Sequence, residues 1–262
     1  MATFRLPGPL CSFLGALKID VGTLCRVASA KPGPINPVKP SKKPRHHRRR
    51  QHPHRHSAVM APTNTTSALT DADFEAAAKR LGSDVSPALI RAFSDVESGG
   101  KGGFGPLGRP VIAFEGHWFR KFTNNVYDTD HPFLSYKYVK KAGPEWQHNN
   151  KDQETAWKTL DEAMTLNHDA ALMACSWGRF QVMGFNFSKC GYKTVDDFVA
   201  AMKAGEKGQL EAFVGYCKST PACLAAIKSK DFAGMAESYN GKDYGDYDKR
   251  IERAYNKYTA KA

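Results

Sequence analysis

Glu97 stands at the end of an apolar stripe. In Ser86-Pro-Ala-Leu-Ile-Arg-Ala-Phe-Ser-Asp-Val-Glu97-Ser-Gly-Gly100, residues Ile90, Phe93 and Glu97 fall at i, i+3 and i+7. On a helix they share one face. A carboxyl group there is partly withdrawn from water and lies at the negative end of the helix dipole, and both effects raise its pKa. A carboxylic acid that stays protonated near neutral pH can hand its proton to a leaving group. Glu97 is therefore a candidate general acid; the plainer reading is a helix-end glutamate that swings out to water. Two other stretches bring polar and aromatic groups to chain turns. In Ala174-Cys-Ser-Trp-Gly-Arg-Phe-Gln-Val-Met-Gly184, Ser176 and Gly178 suit a helix end and a tight turn that present Trp177, Arg179 and Gln181. In Ala236-Glu-Ser-Tyr-Asn-Gly241, a glycine stop exposes Tyr239 and Asn240. Trp118 and Trp177 read either as platforms for a planar or ring-shaped ligand or as core packing. His117 and His131 have no partners at useful spacing and read as structural.

These groups need helices to hold them. The Glu97 stretch carries its own punctuation: Ser86 as N-cap, Pro87 at the first helical position and Gly99 for a left-handed stop. Thr70–Gly82 reads as a capped helix with a terminal glycine. Arg109–Phe119 starts extended, with Val111, Ala113 and Glu115 on one side and Ile112 and Phe114 on the other. Residues 120–150 read as an aromatic-rich loop. Helices follow over 151–166, 167–174, 194–202, 207–218, 221–229, 231–239 and 246–258, separated by Gly or Pro signals. The expected fold is mainly α (α+β): a helical domain over 68–262 with a small β-hairpin lobe.

Charge divides the chain. Residues 1–60 hold twelve Lys/Arg and one acid, Asp20, while the other 202 residues hold 26 basic and 25 acidic groups. The net charge of +12 thus belongs to a tail, and the folded part is close to neutral. That argues against a nucleic-acid enzyme, whose basic patch sits on the domain itself. Residues 1–67, rich in Pro, Arg and His, bury too little apolar surface to fold and are expected to be a disordered basic segment. Its readings are an electrostatic tether to polyanions or a solubilising spacer. Residues 1–30 look weakly like a secretory signal, with Arg5, apolar Leu10–Leu17 and Ala28-Ser29-Ala30; Pro7-Gly8-Pro9, Lys18 and Asp20 interrupt the pattern. No run of about 18 apolar residues exists to span a membrane. The six cysteines form no CxxC pair and no zinc-spaced cluster with histidine. No metal or organic cofactor is expected. Cys217 and Cys223 flank a Pro-containing turn and can either pair or remain buried thiols.

Three stretches taken in order carry a resemblance: Glu97-Ser-Gly-Gly-Lys-Gly-Gly-Phe104, Gly108-Arg-Pro-Val-Ile-Ala-Phe-Glu-Gly-His-Trp-Phe119 and Ser176-Trp-Gly-Arg-Phe-Gln-Val-Met-Gly184. With the later Tyr-Asn-Gly they resemble the lysozyme-like superfamily of goose-type lysozymes and lytic transglycosylases. They are closer to the N-acetylmuramidase domain of phage endolysins and related bacterial proteins. The resemblance covers about 70–260 and leaves out the tail. It implies a lysozyme-like fold and cleavage of peptidoglycan at the bond from N-acetylmuramic acid to N-acetylglucosamine, with Glu97 as general acid. It implies that Gln181 hydrogen-bonds the substrate and that Tyr239 and Asn240 orient the acid and bind sugar.

Hydrolysis of a glycosidic bond commonly uses a second carboxylate, a nucleophile about 5–5.5 Å away or a base about 6.5–9.5 Å away. Glu115, at the end of the extended stretch, is the first choice; a salt bridge to Arg109 or His117 is its structural alternative, and Asp128 is the runner-up. A lytic transglycosylase needs no second acid, because the substrate's own 6-hydroxyl attacks. A non-catalytic peptidoglycan-binding module with a functional tail is the remaining class. The expected partner is peptidoglycan, met by a monomer in the periplasm or cell envelope, with no specific nucleic acid.

Overall fold

The computed structural model describes residues 68–140 and 142–260. The readings of the basic tail and of a secretory signal lie outside the described residues. Among those described, eleven α-helices surround one three-stranded sheet. Helix α1, Asp71–Leu81, carries the expected capping box between Thr70 and Asp73. Helix α2, Pro87–Ser98, begins at the Ser86 cap and ends at Gly99 with φ 60°.

The sheet is antiparallel in the order β1-β2-β3: β1 is Ile112–Phe114, β2 Cys175–Trp177 and β3 Val182–Met183. Ala113 faces Ser176, and Ser176 faces Met183. Every strand residue is buried, so alternation along β1 does not separate a wet face from a dry one. β1's outer edge has no further strand. Two side-chain amides close it instead. Gln153 accepts from Ile112 N and donates to Ile112 O, both at 2.9 Å; Asn150 accepts from Phe114 N at 2.7 Å and donates to Phe114 O at 2.9 Å. The backbone's hydrogen-bonding need is met without a strand.

Residues 116–150 are more helical than the sequence reading. Gly116–Phe122 form α3 and Pro144–Asn149 form α4. Gly116 is needed because a Cβ there would come within 2.1 Å of the Tyr136 ring. The remaining helices match the expected sequence of elements: α5 Gln153–Leu166, α6 His168–Met173, α7 Val195–Ala204, α8 Glu206–Ser219, α9 Pro221–Ser229, α10 Phe232–Asn240 and α11 Tyr247–Thr259. Asp152, Asn167, Thr194 and Asp231 cap four of them by accepting backbone N–H bonds. A core of Phe93, Phe180, Phe213 and Tyr239 links α2, the β2–β3 loop, α8 and α10; Phe180 and Phe213 stack at 4.5 Å. The four described cysteines are free and buried; Cys217 and Cys223 lie with sulfurs 3.8 Å apart.

Candidate active site

Helix α2 delivers Glu97 to the wall of a small pocket, about 20 Å3, lined also by Gln181, Met183, Asn186, Tyr216, Tyr239 and Asn240. Glu97 does not swing out to water: only 7% of its surface is exposed. The Tyr247 hydroxyl, at the start of α11, donates to its Oε1. Arg250, one turn on, donates to Val96 O at 3.1 Å and places a positive charge near the carboxyl. Burial outweighs both and pushes the Glu97 pKa up to about 8. The acid therefore holds its proton at neutral pH, in reach of a polar pocket.

The β2–β3 loop supplies a second wall. Gln181 sits at φ 47°, a left-handed conformation that is strained for a side-chain-bearing residue. Its amide is held: Ser176 Oγ donates to Oε1 at 2.7 Å, and Nε2 donates to Gly178 O at 2.8 Å and Val111 O at 3.3 Å. Gln181 thus borders the pocket while bracing the hairpin. The same loop passes Gln209 so closely that a Cβ on Gly178 would lie 2.4 Å from its Cδ. Arg179 is not presented to a ligand. It turns inward, donating to Ser94 Oγ at 2.5 Å and to buried Glu206 at 2.7 Å. Glu206 also accepts from Gly103 N at 2.6 Å, so this ion pair ties the glycine loop after Glu97 to α8.

Tyr239 and Asn240 line the pocket as expected, but they are buried at the helix end rather than exposed by Gly241. The Tyr239 hydroxyl donates to Phe180 O at 2.6 Å. The direct partner of the acid is Tyr247. Trp177 is a correction. It is wholly buried, donates Nε1 to Leu172 O at 3.2 Å and meets Trp157 edge-on at 5.7 Å; no face is left for a sugar. Trp118 packs between Phe122 and Phe185.

Glu115, the expected second carboxylate, is not among the residues that line the Glu97 pocket. It lines a different cavity with His117, Tyr136, Tyr138 and Trp146, and the two linings share no residue. It is 1% exposed. Trp146 Nε1 donates to its Oε1 at 2.9 Å, while Oε2 lies 3.4 Å from His117 Nδ1 without a hydrogen-bond donor. Burial raises Glu115 to about 8; burial, then the Lys121 charge, lowers His117 to about 4. Acid and imidazole are both neutral at pH 7, so the contact is not an ion pair. Arg109 lies over the Trp157 ring instead. Asp128 is a loop clip, accepting from Ser135 at 2.6 Å and Arg120 at 2.8 Å. His131 stands edge-on to Tyr127, 3.9 Å from Glu162.

Tyr247, Tyr216, Asn186 and Arg250 were not singled out from sequence. For Tyr247 a signal existed: Tyr247, Ile251, Ala254, Tyr255 and Tyr258 form a helical stripe, and its first member is the one that reaches the acid. The other three carry no such mark.

A family model described as N-acetylmuramidase matches residues 86–259. Among solved structures, the crystal structure of Burkholderia AP3 phage endolysin is 38% identical, with TM-score 0.62, and the match covers 78% of this chain and 75% of that one. No curated protein matches the chain.

Proposed function

The chain belongs to the N-acetylmuramidase family, a peptidoglycan-hydrolysing muramidase of the lysozyme type, and on that premise we propose that Glu97 is its general acid and that the bond cut runs from N-acetylmuramic acid to N-acetylglucosamine. The observation that carries the assignment is a buried, Tyr247-held carboxyl facing a pocket of amides and phenols. Protonated Glu97 gives its proton to the glycosidic oxygen as the C1–O bond breaks. The cationic sugar left behind is stabilised by the carboxylate just formed. That carboxylate then takes a proton from a water whose oxygen bonds to C1, which returns Glu97 to its starting state. Gln181, Asn186 and Asn240 offer amide dipoles to hold the acetamido and hydroxyl groups in place.

One observation favours a second reading. No other carboxylate lines the Glu97 pocket among the described residues. Where the substrate's own 6-hydroxyl is the nucleophile, a single acid suffices, and the product ends in a 1,6-anhydro ring. Purified peptidoglycan tests the assignment: wild type clears the suspension and Glu97→Gln does not. A wild type that fails to clear, or a variant that clears equally, overturns it. Mass spectrometry of the products separates the two routes, because anhydro ends are lighter by one water.

We further propose that the basic tail holds the enzyme on a polyanionic envelope at its place of action. Among the described residues no helix is long and apolar enough to cross a membrane.

A further inference from the structure

A larger concavity, about 450 Å3, lies between the 130–134 turn, the end of α4 and one face of α5. It shares no residue with the Glu97 pocket. Thr155, Lys158, Thr159 and Glu162 stand at i, i+3, i+4 and i+7 of α5, so a single helix face forms one wall. The floor is closed by buried Leu134, Asn149 and Thr159. Asn149 Nδ2 donates to Phe133 O at 2.6 Å, which fastens the turn to α4. The rim is aromatic. Phe133 is 50% exposed, one of the few large hydrophobics left in water, and its ring centre lies 4.7 Å from that of His148. A concavity of this size is in the range of small-ligand sites.

Charges of both signs face the void: Lys151 and Lys158, Asp130 and Glu162. Lys158 and Glu162 are spaced to pair along the helix, yet Lys158 and Asp130 are in no ion pair among the described residues. Glu162 meets His131 at the long distance of 3.9 Å, and the Lys151 charge is felt by neighbouring Asp152. A neutral glycan has no use for four charges, and a polyanion would be repelled by two of them. A zwitterionic chain with apolar methyl groups matches the whole set.

We propose that this concavity binds the peptide stem of peptidoglycan. The stem's carboxylates lie at Lys151 and Lys158, its diamino-acid ammonium lies at Asp130 and Glu162, and its alanyl methyls lie against Phe133 and His148. The proposal rests on the muramidase reading for its ligand and adds a second contact with the wall, separate from the bond that is cut.

The test is a titration of Glu97→Gln protein with the tetrapeptide L-alanyl-γ-D-glutamyl-meso-diaminopimelyl-D-alanine, followed by amide NMR. The expected result is saturable shifts confined to residues 130–134 and 148–162, with Kd raised at least about tenfold by the double charge reversal Lys151→Glu/Lys158→Glu. Both lysines are exposed, so the double variant retains its fold, checked by its Tm. Acetylating the diaminopimelyl side-chain amine weakens binding as well, and acetylating the alanyl N-terminus does not. Absence of saturation, equal affinity for the double variant, or the same shifts from the peptide-free disaccharide would overturn the proposal. Clearing of peptidoglycan reads the muramidase assignment and the titration reads the stem site, so each can fail alone.

Discussion

Replacing Glu97 by Gln removes the proposed chemistry, and the same burial that makes the acid useful predicts a gain in stability. Below its ordinary value of 4.5 the carboxyl is protonated folded or unfolded, and the group is silent. Between 4.5 and about 8 the folded state keeps a proton that the unfolded chain releases. Stability is therefore lost as pH rises through this window. At pH 7 the protein folds against roughly 2.5 pH units of unfavourable protonation, about 3.5 kcal/mol at ~1.4 kcal/mol per unit. Glutamine has no proton to hold, keeps the shape and still accepts from Tyr247. The variant should melt roughly 7–14 °C above wild type at pH 7, taking about 2–4 °C per kcal/mol for a domain of this size. At pH 5 the gain should shrink to under about 1 kcal/mol. Thermal melts across pH 5–8, read by circular dichroism, measure the difference. A gap that is the same at pH 5 and pH 7, or a glutamine variant less stable at pH 7, would refute the claim that Glu97 is buried and neutral.

The basic limb of kcat/KM should fall near pH 8, where Glu97 loses its proton. Tyr247→Phe removes a bond that favours the charged carboxyl, so the limb should move up by about one unit; a limb that stays or moves down contradicts the assigned contact. Glu115→Gln should keep most of its rate on purified peptidoglycan, since Glu115 lines another cavity, and a loss of a thousandfold or more would make it a reacting group. Gly178→Ala should destabilise by about 2 kcal/mol or more, because φ 69° and the Gln209 side chain both oppose a methyl; an unchanged urea midpoint would show that the loop yields. Deleting residues 1–60 should reduce lysis of outer-membrane-bearing cells at low salt and leave clearing of purified peptidoglycan intact. Equal lysis by both forms would remove the tether.

Local rules carried most of the helical layout. Thr70, Ser86, Asn167 and Thr194 are caps whose side chains meet the backbone within three residues, so their signal is complete in a short window. Glu97 was legible for the same reason: its stripe and its glycine stop are local. Around Glu115 the alternating stretch suggests a strand with one wet face, while β1 is buried on both and its end turns straight into α3. Trp177 misled because a turn-forming Ser-Trp-Gly looks exposed; only contact with Trp157 and the Leu172 carbonyl, fixed by long-range packing, buries it. Tyr247 reaches Glu97 across 150 positions of sequence, and no local pattern states which of several tyrosines closes that distance.

The amide seal on β1 bears on how the molecule ages. Asn150 and Gln153 each give and receive one bond with the same strand residue, so each must be an amide. Deamidation replaces the donating NH2 with oxygen and leaves the Phe114 or Ile112 carbonyl facing another acceptor in a buried place. The change in shape is negligible, but the sheet edge opens, and β1 is the strand that leads into Glu115 and α3. Loss of ammonia from these two side chains would thus act as a slow covalent clock on the sheet edge, read by peptide mapping of stored material.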